Sequence, residues 1–374
     1  YLTVREGHLP VLTRQLTPSA SEGTVLLKKT ADCLWSFCLS ILYKIMKGEV
    51  TYMVKKQSWQ ITLFILSILA LLVTSCGSSP VQSQAGETST ITISGAWALY
   101  PMMIRWSEAF QEEHSGVRFD ISAGGAGKGM ADALANAVDI GMVSREIYPE
   151  EIEKGAFWVS VTKDAVFLTV NEKNPVWEDL HRQGVTQETL IGIYITGEVT
   201  TWGQVVGRPE VTDPIHVFTR SDAAGAPATW AEYLGNKKQE DLLGLGVYGD
   251  PGVLDAVIKD PLGIGFNNLN YAFDAETGQP VAGARVAPLD VNGDGQANPE
   301  EIYDTKAQAV NAVAAGHYPS PPARELNLVT QGKPDGLVKE FITWILTDGQ
   351  QYVDEVGYIS LTAQQLDTEL KKLD

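Results

Sequence analysis

The chain has 374 residues, 44% hydrophobic and 20% charged, a composition that builds packed domains and excludes a disordered chain. A net charge of −18 repels phosphate backbones and argues against nucleic-acid binding, and three cysteines are too few for a disulfide-built scaffold. One apolar run of near-membrane length occurs, close to the N-terminus, which excludes a multi-span channel or transporter.

The N-terminal quarter reads as an address. Lys55 and Lys56 follow Met53 as a basic head, and Ile61 to Val73 is an apolar stretch. As a helix it would rise only ~20 Å, too short to cross a bilayer comfortably. Residues 53–75 therefore read as a secretory signal peptide. The tail Val73-Thr74-Ser75-Cys76 resembles a bacterial lipobox, in which Cys76 takes the lipid and becomes the new N-terminus. An uncleaved anchor is the alternative; both place the remainder outside the cytoplasm. Residues 1–52 are expected to be a non-native upstream extension, and 76–89 a flexible tether rich in Gly, Ser and Pro. Beyond residue 75 the chain keeps 20 basic and 42 acidic residues, a net −22.

From residue 90 onward short β-branched runs alternate with glycine loops and helical stretches, the pattern of an α/β fold. Strands are predicted at Ile91–Ser94, Val117–Ala123 and Val138–Ser144, with helices opening at Pro101 and Met130. Met103, Trp106 and Phe110 recur at helical spacing and should face a core. Ala165–Val170 reads as a buried strand. A middle region follows with its own strand, Ile215–Arg220, and helix, Ala228–Leu234. Gly263–Phe266 reads as a return strand, and Leu337–Glu355 as a closing amphipathic helix. This order fits two lobes: 90–169 plus 264–374, and 170–263, with hinges near Val170 and Gly265.

Three units share one grammar, ITIS-GAWALY-P, FDISA-GGAGKG-M and HVFTR-SDAAGA-P: a strand end, a glycine-containing loop, a helix start. Helix N-termini expose unpaired N–H groups and attract anions, and glycine lets the backbone approach a ligand closely. Lys128, Arg145 and Arg220 stand at the loop edges and would supply positive charge against the acidic field of the chain. The plain alternative is turn geometry, with Lys128 solvated and Arg145 paired to Glu146 or Glu150.

The order GAWALYP, GGAGKG, DIGMVSRE, TRSDAAGA and GIGF resembles the substrate-binding proteins of phosphate ABC transporters, across roughly residues 90–362. The resemblance implies a periplasmic-binding-protein-like (type II) fold, two α/β lobes with two hinge crossings closing on an oxyanion. It implies a lipoprotein or periplasmic receptor that delivers phosphate, or a related oxyanion, to an ABC permease and its ATPase; a monomer is expected, held to the membrane by a lipid anchor. The binding residues it implies are Leu99, Tyr100, Ala126, Gly127, Lys128, Ser144, Arg145, Arg220, Asp222, Ala224, Gly225 and Ala226. Arg220 would neutralise the ligand, Ser144 would donate a hydroxyl, and the loops would donate backbone N–H. Asp222 would hold the Arg220 fork or cap the following helix. Leu99, Ala126, Ala224 and Ala226 stand where the family carries hydroxyls. Each hydrogen bond to a charged group contributes about 1.5–3 kcal/mol, so four losses would weaken phosphate binding unless amides replace them. They would also make the cleft more apolar, leaving a less hydrated or organic anion as an alternative ligand.

Asp290 to Glu301 fits D-x-[DN]-x-[DN]-G-x5-E, the pattern of a calcium loop. Asp290, Asn292, Asp294, Gln296 and Glu301 would supply oxygens and Gly295 the sharp turn. An Asx-rich turn without an ion is the alternative. No HExxH, CxxC or GxSxG motif occurs, and no nucleophile–base pair is evident. A binding protein is therefore expected rather than an enzyme, with a secreted phosphatase as the competing reading and a sensor or adhesion module as a third.

Overall fold

A computed structural model describes residues 89–374. The expected signal peptide, the expected upstream extension and Cys76 lie outside the described residues. Among the described residues no helix is long and apolar enough to cross a membrane.

The chain opens with β1 (Ser89–Gly95), α1 (Tyr100–Glu113), β2 (Val117–Ala123), α2 (Ala126–Leu134) and β3 (Ile140–Val143), then the 16-residue β4 (Ala156–Asn171). The middle holds β5 (Val185–Thr186), β6 (His216–Arg220), α3 (Gly225–Tyr233), β7 (Leu245–Val247), α4 (Gly249–Lys259), β8 (Gly263–Asn268), β9 (Ala284–Val286) and β10 (Leu289–Asp290). The last part holds α5 (Lys306–Ala314), β11 (Ala323–Gln331) and α6 (Gly336–Leu346), and the chain closes with α7 (Ala363–Leu373). One mixed sheet runs β2-β1-β3-β11-β4-β8-β6-β7, with β9 also paired to β4.

Strand β4 is shared by both lobes. Up to Ala165 it pairs with β11, and from Val166 it pairs with β8. Two cores form on either side. Trp106, Phe110, Met142, Leu328 and Phe341 pack in the first lobe. Trp202, Trp230, Phe266, Tyr303 and Tyr318 pack in the second. The crossings therefore lie near Ala165 and Ala323, not at Val170 and Gly265, and residues 264–322 join the second lobe. The physical reason is burial. Phe167, Val286, Leu289, Tyr303 and Ala309 all fill the same core, which the middle region cannot complete alone.

Two glycine loops are shorter than the sequence indicates, because their last residues already form the first helical turn. Helix α2 begins at Ala126 rather than Met130, and α3 at Gly225 rather than Ala228. Gly129 serves close helix–sheet packing: a Cβ there would sit 2.5 Å from the Met142 carbonyl oxygen and 2.8 Å from Gly95 Cα. The closing helix is also divided. Helix α6 ends at Leu346, a 3-10 turn spans Asp348–Tyr352, and Val353–Val356 is helical again. Gly349 permits the break by passing 3.0–3.2 Å from Trp344 at its Cβ position, and its carbonyl accepts Trp106 Nε1 at 2.8 Å.

Candidate functional site

The loops that the sequence singled out converge where the lobes meet. Gly127, in the first turn of α2, donates its amide to the Ala223 carbonyl of the second lobe at 3.0 Å. Gly125, held at φ +92°, lies so near the second lobe that a Cβ would sit 2.6 Å from the Ala223 oxygen and 2.9 Å from Asp222 Oδ2. Gly225, the first residue of α3, packs on Ser144 of the first lobe. A Cβ there would come within 2.1 Å of the Ser144 hydroxyl and 2.3 Å of its carbonyl oxygen. Ser144 is buried, 2% exposed, at the end of β3. Trp97 completes the contact. Its ring meets Tyr248 and Tyr271 edge-on, with centroids 6.0 and 6.4 Å away.

Arg220 is the buried charge at this junction, its side chain 1% exposed. Asp222 grips it bidentately, Nε to Oδ1 at 2.8 Å and Nη2 to Oδ2 at 2.5 Å. Asp250, at the start of α4, accepts from Nη1 at 2.6 Å. Burial disfavours the guanidinium's charge, but Asp250 and Asp222 outweigh it and raise its pKa above the usual arginine range. Burial likewise pushes the Asp222 carboxyl up, and the Arg220 hydrogen bonds and charge more than offset this, leaving it below the usual range. Asp222 does not cap α3: the cap position is Ala224, with no side-chain bond. Its Oδ1 instead accepts the Gly249 amide at the head of α4. Three of the five N–H bonds of Arg220 are thus committed to carboxylates, leaving one on each terminal nitrogen.

Other expected residues take different roles. The Leu99 and Tyr100 amides are spent within their own turn, on the Ala96 and Trp97 carbonyls. Lys128 turns along α2 to Asp132 and is half-exposed. Arg145 pairs with Glu151, at 2.7 and 3.0 Å, and stacks over Tyr148. That is the ion-pair alternative, but with Glu151 in place of Glu146 or Glu150, and both side chains are mostly buried. The apolar substitutions also lie elsewhere than expected. Leu99 and Ala126 are built into the first core and Ala226 into the second. Of the four, only Ala224 lines the groove of about 640 Å³ that opens beside the junction, between Arg145–Tyr148 and Lys237–Glu240. The helix-start amides of Ala126, Lys128, Gly225 and Ala226 have no acceptor within their own helices.

The sequence reading missed Asp250, Asn268, Arg324 and Asp164. Asp250 accepts the Asn268 amide at 3.0 Å and its side-chain nitrogen at 2.7 Å. Arg324 sits opposite Asp164 where β11 meets β4, with Nη1 and Oδ2 3.4 Å apart. Burial pushes the Asp164 carboxyl up to about 6 against the pull of Arg324, and burial lowers the Arg324 pKa. A sequence signal existed for some of these. Asn267 and Asn268 end a strand buried along its whole length, and a polar pair there needs partners.

The loop Asp290–Glu301 is closed by its own amides. Asp290 accepts from Gly293, Asp294 and Gly295, and Glu301 from Val291 and Asn298. Asn292 donates to Asp294 at 3.0 Å, and Gln296 donates its amide to the same carboxylate. Among the described residues no group of three or more His, Cys, Asp or Glu side chains is placed to hold a metal ion.

The chain has known relatives. Residues 80–349 match the family model of the PBP superfamily domain. The chain belongs to that superfamily. It is 24% identical to the phosphate-binding protein PstS of Bacillus subtilis over 318 residues, 82% of this chain and 95% of that one. It is 27% identical to PstS of Methanocaldococcus jannaschii, covering 77% and 90%. Among solved structures, a phosphate-bound substrate-binding protein of a putative phosphate ABC transporter from Clostridium perfringens aligns with a TM-score of 0.59. That alignment has 24% identity and covers 73% of this chain and all of that one. An ABC-type phosphate transport receptor from Vibrio cholerae aligns at 0.53 with 22% identity and the same coverage. These alignments agree with the two-lobed α/β fold.

Proposed function

We propose that this protein captures inorganic phosphate between its lobes and presents it to an ABC importer outside the cytoplasm. The observation that carries the reading is the meeting of helix starts from both lobes: α2 closes on Ala223 and on Asp222, which grips the buried Arg220, and α3 packs on Ser144. Helix-start amides attract an anion, and Arg220 keeps two N–H bonds for it beyond its carboxylates. The PstS relatives, matched over nearly their full length, support phosphate as the ligand. The acidic partners of Arg220 suit an ion recognised by directed hydrogen bonds rather than by net charge. Thermal melting with and without phosphate tests this, because a ligand that binds only the folded state stabilises it by about 2.7 kcal/mol at one hundred times its Kd. Arg220→Ala should remove the response; an unchanged shift in that variant would take Arg220 out of the site.

We propose further that lipid on Cys76 ties the protein to the membrane and that it works as a monomer without enzymatic turnover. The lipobox-like tail Val73-Thr74-Ser75-Cys76 supports the anchor. Calcium at the Asp290–Glu301 loop is proposed as a weak structural ion. The spacing supports it, and the carboxylates keep lone pairs beyond those given to amides. A rise in melting temperature on adding millimolar calcium, reversed by chelator and absent in Asp290→Ala, is the expected result; no response in the native protein would remove the ion.

A further inference from the structure

Arg324 is buried at the start of β11, its side chain 8% exposed, beside the point where the chain crosses between lobes. Its hydrogen bonds point two ways. Nε donates to the Ser144 carbonyl in the first lobe at 3.2 Å. Nη2 donates to Asn268 Oδ1, at the end of β8 in the second. Asn268 in turn donates twice to Asp250, and Asp250 accepts from Arg220. An unbroken run of bonds therefore joins Ser144 to Arg220 and Asp222 through Arg324. Gly225 packs on Ser144, so both lobes' contributions to the site meet at one end of that run.

The plain role for Arg324 is to neutralise Asp164, and the geometry speaks against that as its whole purpose. Arginine–carboxylate pairs are ordinarily bidentate, with N–O distances near 2.7–2.9 Å. Here the separation is 3.4 Å, and Arg324 Nη1 and Asp164 Oδ2 both lack a hydrogen-bond partner. The fork is spent on one acceptor from each lobe.

We propose that Arg324 is a positioning residue that holds the two halves of the anion site in register across the lobe crossing. Through the Ser144 backbone it fixes the hydroxyl loop, and through Asn268 and Asp250 it fixes the Arg220 fork. The claim rests on phosphate binding as read above, but its geometry can be tested without ligand.

Calorimetric titration with inorganic phosphate separates the roles. Arg324→Lys keeps a charge opposite Asp164 and loses the two-way fork; its affinity should fall about tenfold or more, with melting temperature little changed. Asp164→Asn removes the ion pair and keeps the fork; its affinity should stay near that of the native protein. If Arg324→Lys binds phosphate normally, or if Asp164→Asn weakens binding equally, the proposal is overturned. Should Arg324→Lys fail to fold, the double variant Asp164→Asn with Arg324→Gln removes both buried charges and must show the same affinity loss. Amide hydrogen exchange on the ligand-free native and Arg324→Lys proteins is the independent arm. Faster exchange at both the Gly127 amide, which crosses to Ala223, and the Gly249 amide, which donates to Asp222, supports the bridge, and unchanged exchange at either contradicts it. A native protein that ignores phosphate but shows this paired exchange response would sink the phosphate reading and leave the bridge standing.

Discussion

Gly225→Ala offers a clean separation of binding from stability. Gly225 is the first residue of α3, where alanine is the better helix former by about 1 kcal/mol, so the helix itself gains. The new methyl meets Ser144 of the opposite lobe: 2.1 Å from the hydroxyl, 2.3 Å from the carbonyl oxygen and 2.7 Å from the carbonyl carbon. The hydroxyl can rotate away, but the carbonyl belongs to a buried strand end. The cheapest relief is for the lobes to part. Overpacking of this kind costs about 1–3 kcal/mol, charged here to the state in which the lobes touch. Phosphate affinity should fall by roughly 5- to 150-fold, since each 1.4 kcal/mol is a factor of ten. The ligand-free melting temperature should move little. Calorimetry with phosphate, beside a melt without it, reads both quantities. Native affinity would show that Gly225 and Ser144 do not meet in the binding state; a large ligand-free destabilisation would show that the clash cannot be relieved by parting the lobes.

Ala224→Ser places a hydroxyl at an unfilled N-cap, which should raise stability by about 1 kcal/mol and strengthen phosphate binding; chemical denaturation and titration check the two effects, and a loss in both would contradict the cap assignment. Asp164 makes stability depend on pH in a defined direction. Burial pushes its carboxyl up to about 6, above the ordinary 3.8, so the cost of keeping it charged is fully present above that point. The cost is relieved as pH falls through the folded pKa toward the unfolded one. The native protein should therefore gain stability relative to Asp164→Asn as pH falls from 7.5 toward 5; a pH-independent difference would contradict the buried ionised carboxylate.

The sequence showed the strand–loop–helix units because their signals are local. Glycine at positions 124, 125 and 129, Pro101 at a helix start and the Trp106–Phe110 spacing each report on a few neighbouring residues. The lobe boundary was not local. Residues 284–318 read locally as an extended stretch and a helix, but nothing local says which lobe they join, and only the core they share with Phe167 and Trp202 assigns them to the second. The site was legible in its backbone and misread in its side chains. Leu99, Ala126 and Ala226 looked like cleft residues because they stand in anion-loop motifs, yet their methyl groups complete the cores. Asp250, Asn268 and Arg324 lie 30, 48 and 104 positions beyond Arg220. Spacing along the chain carries no hint that a buried guanidinium at one place calls for carboxylates and amides at the others.

The most direct measurement is calorimetric titration of the protein, purified free of phosphate, with phosphate and then with sulfate. A saturable exothermic or endothermic response to phosphate at one ion per chain, absent in Arg220→Ala, is the predicted outcome. Flat heats for phosphate up to millimolar concentration from folded native protein would contradict the assignment of its ligand.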